Sequence, residues 1–168
     1  MAGIQSFTPV VGTKPTVLVL GSIPGVASLQ AEQYYAHARN AFWPIMGAYF
    51  SFDHTLPYQQ RLNELTSSGV ALWDVLFRCE RAGSLDSAIV KDSMEVNPID
   101  HWLAQNSTVQ LVLLNGGTAA KAFRKHFPAL LHDHSLTVLS MPSTSPAYAA
   151  MALGEKIQHW HEALRRIK

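Results

Sequence analysis

A chain of 168 residues with 48% hydrophobic content is long enough for one well-buried core, and no break in composition divides it. The 13 Lys and Arg against 12 Asp and Glu leave a formal net charge of +1, which lacks the basic excess of a protein that holds DNA chiefly through its phosphates and leaves room for an enzyme that visits DNA briefly. Its one cysteine, Cys79, excludes an internal disulfide framework and any zinc site or metal cluster built on several thiolates, so a reducing compartment is expected.

The opening "MAGIQSFTPVVGTKP" has no basic segment followed by an apolar one, and nothing later approaches the roughly 20 apolar residues that span a bilayer. A cytoplasmic protein is expected, with no membrane contact, as one domain over 1–168 whose residues 1–14 are a loosely packed lead-in. "TVLVLG" (16–21) is a continuous apolar, β-branched run ended by Gly, the pattern of a strand buried on both faces. Ser28 is placed to cap a helix over "SLQAEQYYA". Asn40 is placed to cap "NAFWPIMGAYF", where Pro44 falls in the first turn, and "PYQQRLNELTSSG" runs from Pro57 to a stop at Gly69. "VALWDVL" (70–76) is a weaker strand candidate; "VQLVLLNGG" (109–117) and "LTVLSMP" (136–142) repeat the buried-strand pattern. "NPIDHWLAQN", "GTAAKAFRKHF" and "GEKIQHWHEALRRIK" supply further helices. Strands alternating with helices predict an α/β fold, a three-layer αβα sandwich with a short, mostly parallel four-stranded sheet.

Ligands of such folds sit beyond the carboxyl ends of the strands. Three loops leave those ends. "GSIPG" (21–25) reads either as a phosphate-cradling turn or as a plain strand-to-helix turn; it matches neither a dinucleotide fingerprint nor a Walker loop. "NGGT" (115–118) reads as a tight turn with Thr118 capping the helix, or as part of a site. "MPSTSP" (141–146) is stiffened by prolines at both ends and carries three hydroxyls, which can meet phosphate oxygens without added charge, or can form an ordinary turn. Phe42 and Trp43 fit a core by helical spacing. Tyr34 and Tyr35 beside His37, Arg39 and Asn40 fit a core less well and suit a pocket for an extruded base, with a ring on its face and amides on its edge.

These segments resemble the uracil-DNA glycosylase superfamily, and within it the hypoxanthine-DNA (deoxyinosine) glycosylase group, a relative of the mismatch-specific uracil/thymine enzymes. The residues that carry the likeness are "GSIPGVASLQAEQYYAHARNAFW" (21–43), "RAGSLDSAI" (81–89), "VNPI" (96–99), "LNGGTAAKAF" (114–123) and "MPSTSPAYA" (141–149). By that resemblance Gly21, Ser22, Ile23, Pro24 and Gly25 line the base pocket with Asn115, and Tyr35 stacks on the flipped base. Met141, Pro142, Ser143, Thr144 and Ser145 press on the DNA, with Ser143 near a phosphate, and Asn40 is the catalytic asparagine. The acidic or amide residue that other branches carry in the first loop is replaced by Ser22, and the histidine that several carry before the proline of the second motif is replaced by Met141. That puts efficient uracil excision in doubt and leaves catalysis to Asn40.

The implied chemistry is hydrolysis of an N-glycosidic bond, leaving an abasic site, without a Schiff-base lyase step. Asn40 would hold the water at the anomeric carbon, and first-loop N–H groups with Asn115 would stabilise the oxygen-rich edge of the departing base. Single- or double-stranded DNA carrying a damaged base is the expected partner of a monomer, with no cofactor and no metal. Rival readings keep the fold but prefer uracil, xanthine or a mismatched base, or make the chain a non-catalytic nucleotide- or damage-binding module. "HDH" (132–134) is read as a solvated loop rather than a metal site, and His37 and His126 as structural or surface groups, with His37 near enough to touch the site. Asp74 and Asp86 are the carboxylates nearest the loops. Arg165, Arg166 and Lys168 are expected at the charged end of the last helix, and Cys79 as a packed thiol.

Overall fold

A computed structural model describes residues 3–167. Its centre is a four-stranded parallel sheet in the order β3-β2-β6-β7, made of β2 (Val17–Gly21), β3 (Val70–Asp74), β6 (Leu111–Asn115) and β7 (Thr137–Met141). Every residue of β2, β3 and β6 is buried, as their continuous apolar runs require. Alternation along these strands makes two cores. Leu18, Leu20, Ala71, Trp73, Val112 and Leu114 face one way, packing against α4 (Ile99–Gln105) and α5 (Gly117–His126) through Trp102, Leu103 and Phe123. Val17, Val19, Leu72 and Leu113 face the other way, against α2 (Phe42–Phe50), α3 (Tyr58–Ser67) and α6 (Leu153–Leu164) through Phe42, Leu65 and Trp160. The expected three layers are present.

A second sheet was not foreseen. "VALWDVL" divides at Val75: β3 ends at Asp74, and β4 (Leu76–Glu80) leaves to pair antiparallel with β1 (Gly3–Gln5) and β5 (Glu95–Val96). Three- and two-residue strands carry no readable periodicity, so only the structure reveals them. The N-terminal segment, expected to pack loosely, is tied down: Gly3 to Gln5 lie in β1, the Ser6 N–H donates to the Phe77 carbonyl at 2.8 Å, and Val10 exchanges two backbone bonds with Leu72 at 2.8 and 2.9 Å.

Two capping expectations fail. The first helix, α1 (Val26–Ala31), starts after Gly25 and stops at Glu32, whose φ is 55°, so "SLQAEQYYA" is helical only to Ala31. Ser28 lies inside it, buried, with Oγ accepting the Ala36 N–H at 3.1 Å; it fastens the following turn rather than capping a helix. At α5 the N-cap is Gly116 (φ 99°) and Thr118 is already helical, because only a glycine tolerates that backbone where Ser143 lies 3.1 Å from the place of a Cβ. At α2 the N-cap residue is Ala41, yet Asn40 Oδ1 accepts the N–H of Phe42 at 2.9 Å, so the expected cap is made from one position earlier. Arg165 and Arg166 follow α6 as exposed residues; Lys168 lies outside the described residues.

Candidate nucleobase site

Gly21, Asp74, Asn115 and Met141 end the four parallel strands, in register as Gly21 beside Asp74 and Asn115 beside Met141. By strand alternation all four sit on the α2/α6 side of the sheet. This row is the floor onto which the loops converge.

Four carbonyls of the first loop are taken. Gly21 O accepts Val75 N–H at 2.8 Å, Ser22 O accepts Leu76 N–H at 3.1 Å, and Gly25 O accepts Leu29 N–H at 3.0 Å. Pro24 O accepts Nη2 of Arg81 at 2.8 Å, while Arg81 Nε donates to Gly83 O at 2.7 Å. Arg81 thereby clamps the loop to Gly83 from a buried position. Ser22 Oγ donates to both oxygens of Asp86, at 2.9 and 3.0 Å. Asp86 as a residue is exposed, but its carboxylate turns inward, and loss of water pushes its pKa up against the opposing pull of Ser22, Arg81 and Thr118. Ile23 and Pro24 are buried beneath the loop.

The second loop is bracketed by Asn115. Its Nδ2 donates to Thr144 Oγ1 at 3.0 Å and its Oδ1 accepts the Thr144 N–H at 3.0 Å. The Thr144 carbonyl in turn accepts the N–H of Ala41 at 2.9 Å, which joins the loop to the Asn40 turn. Met141 is buried in the core and Thr144 is buried in the bracket, so neither presents a side chain to solvent; Pro142, Ser143 and Ser145 are half-buried. Lys156 of α6, also buried, donates to the carbonyls of Ser145 at 3.3 Å and Tyr148 at 2.7 Å, fixing the far end of this loop.

The two tyrosines divide. Tyr34 is a core residue: its hydroxyl donates to Thr8 O, its N–H donates to Tyr58 Oη, and its carbonyl accepts Nε1 of Trp43. Tyr35 has φ 56°, rare for a residue with a side chain. Its ring stacks on Phe42 with centroids 4.1 Å apart, and its hydroxyl lies 3.2 Å from where a Cβ on Gly21 would stand. Asp74 Oδ1 lies 2.6 Å from that same point. Tyr35 Oη and Asp74 Oδ2 are both buried without a hydrogen-bond partner. Burial first, and then the charge of Asp86, raises the Asp74 carboxyl to about 7, while burial and Asp74 raise Tyr35 against the opposing pull of the neighbouring Asn115 amide, which falls short of hydrogen-bond geometry. The sequence placed Asp74 only near a loop; the missed signal is its parity with Val70 and Leu72 in an otherwise apolar strand.

Asn40 is half-exposed beside these groups, its N–H on the His37 carbonyl at 2.9 Å. His37 is thus adjacent, but it is exposed, with Nδ1 accepting the Arg39 N–H. The histidines of residues 132–134 are exposed, and no cluster of three metal-ligating side chains occurs among the described residues. Cys79 is buried in the core.

A parallel sheet whose loops gather an aromatic ring, amides and hydroxyls at its carboxyl end is the architecture of the uracil-DNA glycosylase class. The Uracil DNA glycosylase superfamily model matches residues 8–168, and the chain belongs to that superfamily. A hypoxanthine DNA glycosylase of Methanosarcina barkeri is 37% identical over 113 residues, 67% of this chain and 70% of that protein. A second protein of that name, from Methanosarcina acetivorans, is 28% identical over 144 residues, 85% of this chain and 87% of its own. The fold is shared with a solution NMR structure of a Methanosarcina acetivorans protein described as a candidate uracil DNA glycosylase: TM-score 0.81, 24% identity, 98% of each chain covered.

Proposed function

We propose that this chain is a monofunctional DNA glycosylase that hydrolyses the N-glycosidic bond of hypoxanthine flipped from DNA and leaves an abasic site. The observation that carries the reading is its likeness to two proteins named hypoxanthine DNA glycosylase, within a superfamily matched over residues 8–168. The geometry supports it. Asn40 is held by the Phe42 N–H on Oδ1, which orients the amide and leaves Nδ2 and the second Oδ1 lone pair to hold a water at C1′. With the carbonyls of Gly21, Ser22, Pro24 and Gly25 already occupied, the first loop offers donors rather than acceptors, as an oxygen-bearing base edge requires. Tyr35, backed by Phe42, is the stacking ring. Pro142, Ser143 and Ser145 meet the DNA backbone, while Met141 and Thr144 support the loop from below. Hypoxanthine pairs weakly, so its extrusion costs less than that of a normal base. The protein acts as a monomer in the cytoplasm.

Single-turnover cleavage of duplexes carrying one hypoxanthine, uracil or xanthine, with alkali to reveal abasic sites, tests this. Alkali-dependent cutting at hypoxanthine with little at uracil is expected; no cutting of any duplex at high enzyme excess overturns it.

A further inference from the structure

A departing purine takes the C1′–N9 electron pair and leaves more easily if a ring nitrogen is protonated as the bond breaks. Within the row at the strand ends, the candidates for that task fall away. Met141 has no proton to give, and Asn115 has both ends of its amide on Thr144. Ser22 points to Asp86. Asp74 remains. It is buried at the end of β3, and the cost of hiding an unpaired carboxyl from water is met by no cation: Asp86, Tyr34 and Tyr35 are the titratable groups that share its field. β2 faces it with Gly21, where a side chain would collide with Oδ1 at 2.6 Å, and β6 ends in the uncharged Asn115. Its main chain is fixed by Asn97, whose Nδ2 donates to the Asp74 carbonyl at 2.8 Å. Two unpartnered oxygens, Asp74 Oδ2 and Tyr35 Oη, lie in this one spot, and Asp74 Oδ1 and Tyr35 Oη both bear on the bare face of the glycine that opens the first loop. A carboxyl stored in this way carries a proton near neutral pH, where an acid catalyst is most effective.

We propose that Asp74, as the neutral acid, is the leaving-group acid of this site, giving its proton to a ring nitrogen of the purine as the C1′–N9 bond breaks. The inference rests on the glycosylase reading. The bond's electron pair goes to the base, which departs neutral with the proton of Asp74. Water held by Asn40 forms the C1′–O bond and releases its proton to solvent, from which Asp74 is reprotonated.

The test is the single-turnover rate on a hypoxanthine duplex from pH 5.5 to 9 for the wild type, Asp74→Asn and Asp86→Asn. The wild-type rate should fall about tenfold per pH unit above a midpoint near 7. Asp74→Asn should be slower at pH 6 by on the order of a hundredfold or more and lose the descending limb. Asp86→Asn should keep the limb but move it to lower pH, since the charge of Asp86 helps hold the proton on Asp74. A wild type that cleaves with a flat profile, or an Asp74→Asn variant that is slow yet keeps the limb, overturns the acid role and leaves the glycosylase reading intact. A wild type that never cleaves removes both. If Asp74→Asn does not fold, the Asp86→Asn shift decides, and an unmoved limb counts against Asp74.

Discussion

Asn115 and Thr144, 29 residues apart, close a two-bond ring: amide to hydroxyl at 3.0 Å, and backbone N–H to amide oxygen at 3.0 Å. It joins the end of β6 to the second loop. Thr144→Ala breaks one bond and leaves a buried amide hydrogen unpaired, so a loss of about 1–3 kcal/mol in denaturant melts is expected. In a double-mutant cycle with Asn115→Ala the two losses should add to more than the double variant shows.

Substitution can separate the capping bond of Asn40 from its proposed part in catalysis. Asn40→Ala removes the bond to the Phe42 N–H and should lower stability by about 1 kcal/mol while nearly abolishing excision. Asn40→Asp keeps an acceptor for that N–H and should retain stability. An Asn40→Ala variant with wild-type turnover would take catalysis elsewhere.

Tyr35→Ala should weaken capture of the flipped base by about 1–3 kcal/mol, read as a rise in KM or in the half-saturating enzyme concentration. Unchanged kinetics would assign the ring to the core, with Phe42 its only stacking partner.

Gly21→Ala puts a methyl 2.6 Å from Asp74 Oδ1 and 3.2 Å from Tyr35 Oη. Neither neighbour is the free end of a long chain, so a loss of about 1–3 kcal/mol is expected together with loss of base binding. A stable, active variant would show that the space over Gly21 is not used.

The Asp74 carboxyl, raised by burial from 3.8 to about 7, makes stability depend on pH. Between those values the native state holds a proton that the unfolded chain has lost. Its contribution is therefore complete below about 4, falls as pH rises, and is gone above about 7, a change of at most about 4 kcal/mol. Asp74→Asn should flatten that slope and melt higher than the wild type at pH 8. Parallel slopes for the two proteins would refute this.

The parallel sheet was legible because residues 17–21 and 111–114 are apolar throughout, and strands buried on both faces admit little else. The small antiparallel sheet was not, since β1 and β5 are held by pairing with β4 rather than by any pattern of their own. Asn40 could be read as a cap from its place before "AFWP". Ser28 could not be read correctly, because whether a serine caps a helix or fastens a turn depends on where Gly25 starts that helix. That the first loop, Asn115 and the second loop meet beyond the strand ends followed from reading a parallel sheet, whereas Tyr35 and Asn40 were assigned to the same place only by the resemblance. Pairing Ser22 with Asp86 and stacking Tyr35 on Phe42 are tertiary contacts, with no local signature to betray them.

The strand order β3-β2-β6-β7 also governs how the protein is made. β2 emerges from the ribosome early, yet its two neighbours lie about 50 and 90 residues downstream, and β7 completes the sheet later still. The all-apolar segment 17–21 must therefore wait for β3, and its other edge stays open until β6 has been made. Closure is a late, long-range event with the slow kinetics of non-local parallel pairing. During that interval the nascent chain exposes a strand edge suited to aggregation, and crowded overexpression should find its weakness there.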